Sequence, residues 1–302
     1  MTSPKGQAEG EKGSASQNHI AAYASLAKPG LTLMSVSTAL AGAMLAPDGL
    51  SHPTDLALVA AGTLFVGSGA VALNQYLERD FDALMQRTRK RPLPSGAISP
   101  RKGLVFGCLL AVLGLALLAG TTLLAAGLAV LTLASYVLVY TPMKRTSHFA
   151  TAVGGLPGAI PPVIGWTAVT GTFAPQAYVL FLVVFLWQMP HFLALGWMYR
   201  KDYAAGGYRL LPSLDTTGEV TARIIMVYIW ALLPASVLPF ILGMAGPVFL
   251  VLVSAAWLAF MVPAYQHSRQ ISDANARKVF RSSLIYIPAF FLSIGIDRAI
   301  SL

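Results

Sequence analysis

Charge is scarce in this chain, and acid scarcer than base. Only 11% of its 302 residues are charged, 12 acidic against 21 basic, and there is one cysteine, Cys108. A lone cysteine excludes an intrachain disulfide and a cysteine-cluster metal site, which leaves Cys108 a packing role within its apolar segment. So few charges, set beside 56% hydrophobic residues and a mean hydropathy of +0.65, exclude an ordinary soluble domain. Residues 1 to 20 lack the apolar core of a cleaved signal peptide and the arginine bias of a mitochondrial transit peptide. They read as a disordered polar tail ahead of a single transmembrane domain over 21 to 302, in a bacterial cytoplasmic membrane.

What the chain has in abundance is long apolar runs. Runs able to cross a bilayer lie at about 24 to 46, 55 to 77, 103 to 119, 122 to 140, 150 to 170, 177 to 198, 222 to 243, 247 to 264 and 283 to 300. The expected fold is therefore an all-α polytopic membrane protein of about nine helices. Gly120-Thr121-Thr122 is the only break between the third and fourth runs, and charge decides that it is a turn. With a hairpin there, the loops at 78 to 102, 141 to 149, 199 to 221 and 265 to 282 fall on the side of the N-terminus. Those loops and the N-terminal segment, with Lys28 and Arg223, hold 20 of the 21 lysines and arginines and leave only Arg298. The positive-inside rule then makes the N-terminus cytoplasmic and the C-terminus external. A net charge of +9 is accounted for by this topology and anionic lipid, and implies no nucleic-acid partner.

The polar residues gather at that basic end. Residues 74 to 82 read N-Q-Y-L-E-R-D-F-D, with Asn74, Glu78 and Asp82 at i, i+4 and i+8. At about 100° per residue the three fall within roughly 80° of one another on a helix, while Asp80 points elsewhere. Oxygen donors so placed suit Mg²⁺, which takes one or two protein carboxylates and fills its remaining positions with water and substrate phosphate. Arg87, Arg89, Lys90 and Arg91 follow, cations able to receive a diphosphate, and R-P-L-P-S at 91 to 95 is echoed by R-L-L-P-S at 209 to 213. Such internal echoes in membrane proteins often flank a substrate site.

Three further stretches stand out. Tyr140-Thr141-Pro142-Met143-Lys144-Arg145 adds a phenol and two cations at the same depth. Residues 154 to 162, G-G-L-P-G-A-I-P-P, hold too many helix breakers for a regular lipid-facing helix, and irregular backbone is tolerated where it is buried or lines a cavity. Gln188 and His191, in W-Q-M-P-H-F, are polar residues within an apolar run, where function is the default hypothesis.

These stretches resemble the UbiA-type intramembrane prenyltransferases over roughly residues 22 to 300. The family pattern Asn-x3-Asp-x3-Asp is similar to Asn74, Glu78 and Asp82, with glutamate at the middle position, and Tyr-x3-Lys corresponds to Tyr140 and Lys144. The second acidic pattern is represented by Asp202 alone, since Met198 stands four residues before it. N-Q-Y-L-E-R-D-F-D-A-L-M-Q-R-T, G-G-L-P-G-A-I-P-P-V-I-G-W and W-Q-M-P-H-F are similar to the heme-farnesylating branch in particular.

The resemblance implies a nine-helix bundle around a central cavity, with Asn74, Glu78, Asp82 and Asp202 as Mg²⁺ ligands. It implies catalytic roles for these four with Tyr140 and Lys144, and substrate binding by Arg87, Arg91, Lys144, Arg145, Gln188 and His191. The implied substrates are farnesyl diphosphate and heme b, and the implied product partner is a downstream heme-modifying enzyme. A quinone-type or chlorophyll-type acceptor, and a non-enzymatic ion-coupled transporter, are the alternatives. The transporter is disfavoured because its coupling sites usually lie near the midplane rather than beside basic loops.

Overall fold

The computed structural model describes residues 19–301, so the tail expected over 1 to 20 falls almost wholly outside the described residues. The first described residues, 19 to 27, are helical. After it come nine long helices: α1 (Pro29–Leu45), α2 (Pro53–Asp82), α3 (Pro100–Ala119), α4 (Leu123–Met143), α5 (Ala150–Thr170), α6 (Pro175–Met198), α7 (Glu219–Ile241), α8 (Pro247–Arg269) and α9 (Asp273–Ser301). Eight of these are long and apolar enough to cross a membrane, and α1, with 17 residues, is the shorter ninth. No strand occurs among the described residues. The molecule is an all-helical integral membrane protein.

Local chemistry sets the boundaries. Pro29, Pro53, Pro100, Pro175 and Pro247 each stand in a first helical turn, where a missing N–H costs nothing and the fixed φ suits a helix. The turn at Gly120-Thr121-Thr122 is real: Thr122 caps α4, its hydroxyl accepting from Ala125 N at 3.1 Å. In α5 the breaker-rich stretch divides the helix at Ile160, where Pro161 starts a second segment. α4 departs from α-geometry over Ser135–Tyr140, a π-helical stretch just before Pro142. Proline cannot donate to the carbonyl four residues back and its ring crowds that carbonyl, so a wider turn accommodates it.

Glycine lets the helices cross closely. A Cβ on Gly69 would come within 2.7 Å of the α3 backbone at Gly107 and Ala111, and Gly165 and Gly42 likewise hold α5 against α1. Cys108 differs from its expected packing role: it is exposed on the outer face of α3, near the similarly exposed Val105 and Val112. An apolar helix facing lipid needs no burial of its side chains in protein, so apolarity alone did not tell inside from outside.

The loops at the basic end fold inward over the bundle. The 83–99 segment turns back so that Thr88 donates to Asp82 O at 2.8 Å, and Arg209 N donates to Lys144 O at 2.8 Å, tying the 199–218 segment to the end of α4. These ties close a polar cavity over the ends of α2 and α4.

Candidate active site

The cavity has a volume of about 130 Å³ and is lined by Lys28, Asn74, Glu78, Asp82, Met85, Arg87, Arg91, Tyr136, Tyr140, Lys144, Tyr203, Tyr208 and Leu210. Asn74, Glu78 and Asp82 reach it from successive turns of α2 and are 4%, 6% and 1% exposed. Their burial is costly unless each polar atom has a use.

Asn74 shows how the backbone sets the chemistry. Thr141 donates its single hydroxyl proton to Tyr136 O at 2.8 Å within the π-helical stretch. The hydroxyl must therefore accept from Asn74, whose Nδ2 lies 2.9 Å away. That fixes the amide orientation and leaves Asn74 Oδ1 as a free acceptor at the cavity. Replacing Thr141 with valine removes the relay while keeping the shape. The expected result is about ten-fold weaker Mg²⁺ binding, measured by Mg²⁺ titration; unchanged binding would mean the amide orientation is immaterial.

Each carboxylate has one cation. Lys144 Nζ lies 2.7 Å from Glu78 Oε1, and Arg91 Nη1 lies 2.6 Å from Asp82 Oδ2. Burial pulls the Lys144 pKa down, but the Glu78 carboxylate, helped by Tyr136 and Tyr203, more than offsets it and holds the ammonium above its ordinary pKa. Lys144 also sits over the Tyr140 ring at 4.6 Å and the Tyr208 ring at 5.9 Å. Burial, and then the Glu78 and Asp82 charges, push the Tyr208 phenol up, so it stays a hydrogen-bond donor at any physiological pH. Arg87 stacks on Tyr199 at 4.9 Å and Tyr203 at 5.7 Å, which holds its guanidinium at the cavity rim.

Two features suit this place to a metal diphosphate. Asp82 lines the cavity beside Asn74 and Glu78, and its Oδ1 is buried with no hydrogen-bond partner among the described residues. No three carboxylate, imidazole or thiol groups converge among the described residues, so a metal here would take its remaining ligands from water and phosphate. Hard oxygen donors in this number fit Mg²⁺. Opposite them, Lys28, Arg87, Arg91 and Lys144 outnumber the two carboxylates and leave the cavity positive, as an anion site requires.

A sequence model described as the UbiA prenyltransferase family matches residues 35–294. The chain belongs to the UbiA prenyltransferase family. Two relatives each named protoheme IX farnesyltransferase are similar to it. The one from Solibacter usitatus is 42% identical over 78% of this chain and 82% of its own length; the one from Myxococcus xanthus is 41% identical over 91% and 93%. Among solved structures, a digeranylgeranylglyceryl phosphate synthase superposes with a TM-score of 0.78 at 19% identity, covering 94% of this chain and 99% of that one. A UbiA homolog from Archaeoglobus fulgidus bound to GPP and Mg²⁺ superposes with a TM-score of 0.62 at 15% identity, covering 91% and 99%. At these identities the structures speak to the fold.

Within this UbiA-family chain the cavity gathers Asn74, Glu78, Asp82, Arg87, Arg91, Tyr140 and Lys144, and leaves four expected site residues outside its lining. Asp202 is half-buried on the short helix Arg200–Ala205. Arg145 lies over the Phe81 ring at 4.2 Å. Gln188 is buried and donates to Gly155 O at 2.6 Å, bracing α6 against the irregular α5. His191 lies between α6 and α9. Of the echoed pentapeptides, Arg91 enters the cavity, whereas Arg209 is exposed and Leu210 lines it instead. Lys28, Tyr136, Thr141, Tyr203 and Tyr208 were missed. Thr141 and Tyr203 lie beside residues already singled out, whereas Lys28 and Tyr208 carry no spacing signal.

Proposed function

We propose that this chain transfers the farnesyl group of farnesyl diphosphate to a vinyl group of heme b, with addition of water, giving a hydroxyethylfarnesyl heme and diphosphate. What carries the prenyl-transfer half is the convergence of Asn74, Glu78 and Asp82 with four cations on one small buried cavity. What carries the acceptor is the shared name of relatives about two-fifths identical over most of the chain.

Mg²⁺ held by Asn74, Glu78 and Asp82 would supply Lewis-acid neutralisation of the diphosphate. The residues of the chain do the rest. Arg91 and Lys144 turn from their carboxylates toward the phosphate oxygens and stabilise the charge that accumulates as the allylic C–O bond breaks and its electron pair leaves with diphosphate. Tyr208 donates a hydrogen bond, and the Tyr136 and Tyr140 rings, with centroids 5.4 Å apart, offer aromatic faces to the allylic cation. The vinyl π electrons form the new C–C bond to that carbon. Water captures the cation left beside the porphyrin and loses a proton. His191 serves the heme, and Arg87 and Arg145 serve the anionic ends of the substrates; Asp202 remains available to a second metal. The product passes to a downstream heme-modifying enzyme.

Purified protein with farnesyl diphosphate and heme b should release diphosphate only when Mg²⁺ is present. Release with a quinone-type acceptor but not with heme would overturn the acceptor, and no release with any acceptor would favour ion transport.

The proposed setting is a bacterial cytoplasmic membrane with the cavity facing the cytoplasm. In a Cys108→Ala background, Ser95→Cys should react with an impermeant thiol reagent only from the cytoplasmic side. Labelling from outside in sealed cells would reverse the orientation.

A further inference from the structure

His191 stands on α6 roughly 10 Å short of the basic end, counting 1.5 Å per residue to Met198. Its Nδ1 lies 2.8 Å from Ser283 Oγ on α9. Ser283 is wholly buried, and its hydroxyl lies 2.6 Å from Phe280 O. A serine hydroxyl has one proton, and at that distance it points at the carbonyl, since two oxygens with facing lone pairs would repel. The hydroxyl therefore accepts from His191 Nδ1–H. Trp187 Nε1 donates to Ser283 O at 2.7 Å and pins the α9 backbone at the same residue.

The imidazole is packed among Phe280, Phe192 and Trp187, with ring centroids at 4.7, 5.2 and 5.5 Å. Such surroundings favour the neutral ring. A neutral imidazole with its proton on Nδ1 has a bare lone pair on Nε2. That nitrogen has no hydrogen-bond partner among the described residues, on a side chain that remains partly exposed.

We infer that Ser283 is a positioning residue that holds His191 as the Nδ1–H tautomer and presents Nε2 as an axial ligand to the iron of the heme substrate. This rests on the reading of heme as acceptor. A ligating histidine whose other nitrogen donates to a fixed acceptor is both oriented and made more basic, and a single histidine suffices to hold a heme iron. The ligation anchors the macrocycle from α6 and α9, leaving its vinyl edge to be set against the prenyl donor.

The test uses full-length protein in detergent with ferrous heme b, read by resonance Raman and the Soret band. The wild type should show an iron–histidine stretch that His191→Ala abolishes. Ser283→Ala should keep that stretch but lower its frequency and weaken heme binding about ten-fold, and Ser283→Thr should restore both. No iron–histidine stretch in the wild type would sink the heme ligation itself. A stretch lost in His191→Ala yet unmoved in Ser283→Ala would overturn the Ser283 role and leave the ligation standing. Should Ser283→Ala not fold, His191→Gly supplies a second reading. Imidazole, which can donate to Ser283, should restore ligation at about ten-fold lower concentration than 1-methylimidazole, which cannot; equal rescue would also overturn the inference.

Discussion

Asp82→Asn should lower turnover on the order of 10²-fold or more while leaving the protein folded in detergent. The carboxylate is 1% exposed, one oxygen bound to Arg91 and the other without a hydrogen-bond partner among the described residues. Asparagine keeps the size and an acceptor for Arg91, so the turn at the end of α2 has no reason to unravel. What it removes is the negative charge that a divalent ion needs and the counter-charge that keeps Arg91 in place until diphosphate arrives. Raising Mg²⁺ should recover part of the activity, because weaker binding is offset by mass action. Near-normal turnover at limiting Mg²⁺ would remove Asp82 from the metal site and make the Asp82–Arg91 pair a structural tie.

Asp82 was legible in the sequence for a simple reason. Asn74, Glu78 and Asp82 sit on one helix at a four-residue spacing, so helical geometry alone puts them on one face. The spanning helices were legible for the same kind of reason, because bilayer thickness demands long apolar runs and prolines mark where many begin. Residues that meet only through the tertiary fold left no such trace. Lys28 comes from the chain just before α1 and Tyr208 from the loop after α6, and nothing in their neighbours' spacing connects them to Glu78. Ser283 meets His191 across 92 residues and looks in sequence like any small residue of a membrane helix. Gln188 is a polar side chain in an apolar run, and the fold adds a partner that its own neighbours do not signal: its amide donates to Gly155 O on α5. A buried amide can be spent on holding an irregular helix as readily as on a ligand.

Glu78 offers the sharper separation of chemistry from stability. Its ion pair with Lys144 is 2.7 Å long and nearly sealed, the two residues being 6% and 8% exposed. Glu78→Gln keeps length and shape but leaves a buried ammonium without its counter-charge, which in comparable buried pairs costs about 3–5 kcal/mol. Turnover should also fall on the order of 10²-fold, because the donor set of the cavity loses a charge that steadies the metal diphosphate. Glu78→Asp keeps the charge on a shorter stem and should retain a substantial fraction of wild-type turnover with little loss of stability. The two losses in Glu78→Gln have different causes, and the double variant Glu78→Gln/Lys144→Met tells them apart. Removing the stranded cation should return the melting temperature most of the way to wild type. Activity should stay lost, since the cavity then has neither the carboxylate for the metal nor the ammonium for the leaving phosphate. If the double variant instead regained activity along with stability, Glu78 would serve only to neutralise Lys144, and Asn74 and Asp82 alone would carry the metal.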